Sequence, residues 1–296
     1  MNNTIGIIGG MGPEATAYFY QLLIQNTLAD KDQEHVPVII YANPRVPPRT
    51  DAIHKKALSP VPFLVQGIKT LIRSGADFGV MPCITAHYFL PEALNEIDFP
   101  FVNLLDETLH FIRESYPSKR TVGLIASSGT VDSGLFHHLF ERAGITLITP
   151  DSKGQADVHE AIFSNDGIKA GFIKGKPRDM IIAAAGQLIQ QGAEAVIAGC
   201  SEVPLVLKPV DLPVPLIEPM LIGARICIKK AGFHVRPVEE HKKKIAEYDE
   251  DGQRSLFYRK KSPGGKTESQ PCSRLTRLTR LARLATLDEK SGKEPS

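Results

Sequence analysis

The feature that most constrains this chain is that it reads twice. Thr4-Ile5-Gly6-Ile7-Ile8 matches Thr121-Val122-Gly123-Leu124-Ile125, Gly75-Ala76-Asp77 matches Gly192-Ala193-Glu194, and Cys83 matches Cys200, all at one offset of 117 residues. Short apolar matches are common, but three markers in a single register, one of them cysteine, indicate an internal duplication. Phe99-Pro100-Phe101 and Leu212-Pro213-Val214 continue it with the register slightly slipped. Strand-like runs at Thr4–Ile8, Val36–Ala42, Phe78–Met81, Phe101–Val102, Val122–Ala126, Ala195–Ala198 and Val214–Ile217 alternate with helical stretches such as Pro13–Leu28, Leu105–Ser115, Leu135–Ala143 and Met180–Gln191. This alternation predicts an α/β fold with mainly parallel sheets, and the continuous apolar run Val36–Ala42 reads as a strand covered on both faces.

A duplicated parallel fold has a chemical consequence. Functional groups gather beyond the carboxyl ends of parallel strands, and Cys83 and Cys200 each follow a strand. If the halves face one another, their thiols enter one cleft from opposite sides, as inversion at a carbon requires. The remaining composition excludes other classes. With 35 Lys+Arg against 33 Asp+Glu, a net charge of +2 supplies no field for nucleic acid or an anionic membrane, and neither is an expected partner. No apolar run approaches the ~18 residues of a membrane span, and Ile5–Ile8 is too short for a signal segment. Cys83, Cys200, Cys227 and Cys272 are scattered without a CxxC pair, which points to reduced thiols, a cytoplasmic location and no metal site.

Four motifs carry the chemistry. Gly9-Gly10-Met11-Gly12-Pro13-Glu14-Ala15-Thr16 joins a strand to a helix, where glycines allow close approach and free N–H groups favour an anion. The spacing fits a dinucleotide fingerprint, but the next strand ends in Asn43-Pro44-Arg45 without the ribose-binding acid, so a carboxylate or phosphate is the better ligand. In Asn43-Pro44-Arg45-Val46-Pro47-Pro48-Arg49-Thr50-Asp51, three prolines stiffen a loop in which Arg45 or Arg49 is either a fork for a carboxylate or a solvated side chain. Pro82-Cys83-Ile84-Thr85-Ala86-His87 and Gly199-Cys200-Ser201-Glu202-Val203-Pro204 place each cysteine where a helix start favours thiolate. His87 either orients the Cys83 thiol or caps the structure.

Together these motifs resemble the aspartate/glutamate racemase family over about residues 4–232. The resemblance implies two pseudo-symmetric Rossmann-like domains with the active site in the cleft between them. The first would comprise 1–116 plus about 217–232, its helix Glu218–Ala231 returning to it, and the second 117–216. It implies cofactor-independent racemisation of aspartate or glutamate, Cys83 and Cys200 as the catalytic pair, and a homodimer. Met11, Gly12, Arg49, Ile84, Thr85, Lys169 and Ser201 would bind the substrate, with Arg49 and Lys169 on its two carboxylates. Three positions depart from the family pattern: Ile84 where asparagine is usual, Pro48 where aspartate is usual, and Ser201 where threonine is commoner. Other readings are a glutamate, hydantoin or dicarboxylate isomerase, or a non-catalytic protein that binds an acidic amino acid. From about Pro237 the chain becomes a basic low-complexity tail ending in Arg274-Leu275-Thr276-Arg277-Leu278-Thr279-Arg280-Leu281. Its three-residue period drifts off any helix face, so a disordered tail is expected, the alternative being a basic segment that docks on a membrane or partner.

Overall fold

The computed structural model describes residues 2–237; the tail from residue 238, with Cys272, lies outside the described residues. The first copy contributes β1 (Ile5–Gly9), β2 (Val38–Ala42), β3 (Phe78–Val80) and β4 (Phe101–Val102). The second contributes β5 (Thr121–Ile125), β6 (Thr146–Ile148), β7 (Val196–Ala198) and β8 (Leu216–Ile217). Each set forms a four-stranded parallel sheet, ordered β2-β1-β3-β4 and β6-β5-β7-β8, so the two copies share one topology. Around the first sheet lie α1 (Pro13–Asn26), α2 (Arg49–Ile53), α3 (Val61–Arg73), α4 (Leu90–Leu94) and α5 (Leu104–Ser115). The second copy adds α6 (Ser128–Asp132), α7 (Leu135–Arg142), α8 (Ser152–Phe163), α9 (Lys176–Gln190) and α10 (Val203–Val206), and α11 (Pro219–Lys230) follows β8.

The repeated residues have a structural reason in each copy. Gly75 and Gly192 take φ of 88° and 96°, the left-handed turn that ends α3 and α9. Two residues on, an acid seizes the first amide of a central strand. Asp77 Oδ2 accepts from Thr4 N at 2.6 Å, and Glu194 Oε2 accepts from Thr121 N at 3.0 Å and Arg120 N at 2.7 Å. Central strands β1, β3 and β7 are buried at every residue, whereas β2 is an edge strand whose Ile40 is 41% exposed. This corrects the expectation of a strand covered on both faces: an unbroken apolar run says nothing about where in the sheet it pairs.

One apolar cluster runs from Ile5 and Phe19 through Leu104, Ile112 and Met220 to Val122 and Phe136, so both sheets share core. Helix α11 packs on α1 and α5. At its start sits Glu218, whose Oε1 is buried without a partner. Burial holds this carboxyl up to about 7, against the ordinary 4.5, while Tyr18 and Lys208 pull it down. Between those values the unfolded chain ionises while the folded chain keeps its proton, so stability falls as pH rises and the loss is complete above the folded value. Glu218→Gln is therefore expected to be the more stable protein in mild alkali, by about 1–2 kcal/mol, and to match the wild type in acid, where both states of the wild type are protonated. Urea denaturation at the two extremes checks both halves of the statement.

Candidate active site

At the carboxyl ends of the strands the two copies enclose a cavity of about 570 Å3. Every residue to which the resemblance assigns catalysis or substrate binding lines it: Met11, Gly12, Arg49, Cys83, Ile84, Thr85, Lys169, Cys200 and Ser201. Arg45, the other candidate in the proline-rich loop, is exposed and does not.

The floor is built by the turn after β1. Thr16, in the first turn of α1, accepts from Gly10 N at 2.9 Å and donates to Gly12 O at 2.8 Å, which fixes the loop that carries Met11 and Gly12. A Cβ on Gly12 would lie 3.3 Å from Glu202 Oε1 and 3.5 Å from Lys169 Nζ, so glycine here leaves room for that pair. Arg49 opens α2, and most of its guanidinium is engaged with main chain. Its Nη1 donates to Val46 O and Pro47 O at 3.1 and 3.0 Å, and its Nη2 donates to Met11 O at 3.2 Å. Its buried Nε has no hydrogen-bond partner among the described residues.

Cys83 follows β3 and is held through its own main chain. His87 Nδ1 donates to Cys83 O at 3.0 Å, and His87 Nε2 accepts from Leu104 N at 3.3 Å. Burial brings this imidazole down to about 4, so it is neutral, with its proton on Nδ1. Of the two roles open to His87, the structure supports the structural one, a tie between the Cys83 loop and α5. Thr85 is turned elsewhere as well: its Oγ1 lies 3.0 Å from Ser127 Oγ and 2.8 Å from Thr130 Oγ1, a buried hydroxyl cluster that joins the two copies. Ile84 is buried in the apolar core beside it.

The second thiol has a different environment. Cys200 Sγ donates to Glu202 Oε2 at 3.0 Å, and Ser201 Oγ donates to the same oxygen at 3.0 Å. The other oxygen, Glu202 Oε1, pairs with Lys169 Nζ; side-chain exposure is 4% for Glu202 and 24% for Lys169. Burial first, and the neighbouring carboxylate second, push the Cys200 thiol well above the ordinary cysteine range. Burial pulls the Lys169 ammonium down, but the charges of Glu202, Cys200 and Cys83 outweigh it and leave it above the ordinary lysine value. The expectation that a helix start favours thiolate at Cys200 is thereby corrected. Helix α10 spans only Val203–Val206, and burial of the sulfur, with the Glu202 carboxylate beside it, outweighs that helix start.

Glu202 was missing from the residues singled out, although the offset of 117 puts it opposite Thr85. An acid in one copy where the other has a hydroxyl was the available signal. His159 and Phe163, on α8, also line the cavity with their rings 4.7 Å apart, and Lys169 Nζ lies 5.6 Å from the Phe163 centroid. Nothing in the repeat marks them. Among the described residues no group of three or more His, Cys, Asp or Glu side chains is placed to hold a metal ion, and no helix is long and apolar enough to cross a membrane.

A duplicated parallel α/β fold thus brings one cysteine from each copy into a common cavity. Residues 8–227 match the Asp/Glu/hydantoin racemase family, and the chain belongs to it. An aspartate racemase from Picrophilus torridus is similar at 29% identity and a TM-score of 0.71, over 81% of this chain and 98% of that one. A broad-specificity amino-acid racemase of Bacillus subtilis is 26% identical over 227 residues, 72% of this chain and 92% of its own length. A glutamate racemase from Francisella tularensis, solved with D-glutamate, shares the fold at 18% identity and a TM-score of 0.56, over 77% of this chain and 81% of that one.

Proposed function

We propose that the protein racemises a free amino acid, with aspartate the foremost candidate, by proton transfer between Cys83, Cys200 and the α-carbon. The observation that carries this is the meeting of the two thiols, one from each copy, in a single cavity. One sulfur, as thiolate, removes the α-proton; the other, as thiol, delivers a proton to the opposite face. Developing charge is met by donors around the α-carboxylate, for which Arg49, the Lys169 ammonium and the main-chain N–H groups of the Gly10–Gly12 turn are the candidates. No step calls on pyridoxal phosphate. The two thiols must be reduced, which suits the cytoplasm.

The pairing of Lys169 with Glu202 and the apolar Ile84 favour a second reading of the substrate, in which its side chain carries no carboxylate. The name of the Bacillus subtilis relative is consistent with that wider range. Incubation of reduced protein with single enantiomers of acidic, neutral and basic amino acids, followed by chiral chromatography, tests both. Conversion of aspartate ahead of leucine, serine and lysine supports the first reading, and the reverse order supports the second. Ligand binding without inversion of any of them removes the racemase assignment altogether.

A further inference from the structure

The two cysteines occupy equivalent positions in the repeat, yet their surroundings are not equivalent. At the position two residues beyond the cysteine, the first copy has Thr85, which turns to Ser127 and Thr130, and the second has Glu202, which takes a hydrogen bond from the Cys200 thiol. Glu202 is itself nearly sealed from solvent and is paired with Lys169. The other charged or titratable side chains that line the cavity are Arg49, Glu14, Asp51 and His159; Arg49 donates to Met11 O and His159 lies against Ser128.

We infer that Glu202 makes the pair unequal: it holds the proton on Cys200 in the resting protein, so that Cys200 starts as the acid and Cys83 as the base. A carboxylate that accepts a hydrogen bond stabilises the S–H form and repels the thiolate, while Lys169 limits that repulsion once the proton has left. In a turnover that begins from this state, the Cys83 sulfur takes the α-hydrogen as a proton and its electron pair stays on the carbon. The Cys200 S–H bond then breaks and its proton goes to the other face. Cys83 is left as thiol and Cys200 as thiolate. Return to the starting state moves one proton from Cys83 to Cys200 through solvent, with Glu202 Oε2 as the last acceptor and donor. No oxidant or reductant is involved.

The assignment of acid and base rests on the racemase reading, but the location of the resting proton is measured without turnover, so the two can fail separately. The experiment is alkylation of the full-length reduced protein by iodoacetamide across pH. Each cysteine is followed on its own peptide by mass spectrometry, and the midpoint of each profile, rather than its absolute rate, is the readout, because access differs between sites. The Cys200 midpoint is expected at higher pH than that of Cys83, so that at neutral pH its thiolate fraction is at least ~tenfold smaller. Glu202→Gln is expected to move the Cys200 midpoint toward acid, and Lys169→Met to move it toward alkali, while the Cys83 midpoint shifts less in both. Coincident midpoints in the wild type, a Cys200 profile unmoved in folded Glu202→Gln, or displacement of both variants in the same direction overturns the inference. If Glu202→Gln fails to fold by circular dichroism, Lys169→Met decides alone, and an unmoved or acid-shifted midpoint overturns it.

Discussion

Cys83→Ser and Cys200→Ser are each expected to lose at least ~10²–10⁴-fold in racemisation, the range general acid–base catalysis supplies, while remaining folded. Both side chains are small and buried, 8% and 5% exposed, and serine keeps their shape, so the loss measures chemistry. The more informative readout is exchange of the α-proton in deuterated water. In Cys200→Ser the Cys83 thiolate can still remove the proton that faces it and return a deuteron from the same side, so one enantiomer exchanges without inverting. In Cys83→Ser the opposite enantiomer does so, and more slowly, because the remaining thiol sits beside Glu202. Proton exchange by both enantiomers in either variant, or full racemase activity in one, refutes the two-thiol scheme. The control is Cys227→Ser. Its thiol lies in α11, and burial puts it above the ordinary range and outside the cavity, so the substitution should leave turnover intact.

Much of this arrangement was legible in the sequence because the duplication supplies its own control. A residue matched at the same offset in both copies marks a structural necessity, as Gly75, Gly192, Asp77 and Glu194 do at the strand starts. Cys83 and Cys200 stood out by the same logic, and the cavity contains both. What the sequence conceals is direction. Thr85 and Ser201 looked alike as hydroxyls behind a cysteine, but Thr85 turns into the seam between the copies and Ser201 onto Glu202. His87 lies one helical turn from Cys83, a spacing equally suited to a bond to the thiol or to the carbonyl, and only the position of Leu104 N decides between them. The guanidinium of Arg49 bonds to carbonyls of its own loop and of Met11, and only a folded loop can reveal how many donors it has left. Edge and centre in a sheet are also set by pairing partners far along the chain, which is why β2 was misread.

Gly10→Ala is expected to cause the largest loss of stability of any single methyl added to this site. Gly10 has φ of +90°, where an L side chain costs about 1–2 kcal/mol. An added Cβ would also lie 2.4, 2.5 and 2.6 Å from the carbonyl carbon, nitrogen and oxygen of Asn43. Those are main-chain atoms at the exit of β2, tied to β1 by the bond from Asn43 N to Gly9 O, so they cannot rotate aside as a side chain would. Relieving such an overlap adds about 1–3 kcal/mol, for a total near 3 kcal/mol and a fall in Tm of roughly 6–12 °C for a domain of this size. The shift has a functional consequence, because the loop that would be displaced is the one that carries Arg49, and Met11 O is a partner of its guanidinium. Activity should therefore fall well below the transition temperature. Two comparisons separate the contributions. Gly171→Ala has φ of +95° but open space around its Cβ, so it should show the backbone cost alone. Gly186→Ala, inside α9 with nothing near its Cβ, should gain about 1 kcal/mol from helix propensity. If Gly10→Ala loses no more than Gly171→Ala, the close crossing of the two loops does not hold the site together, and the geometry of Arg49 must be secured elsewhere.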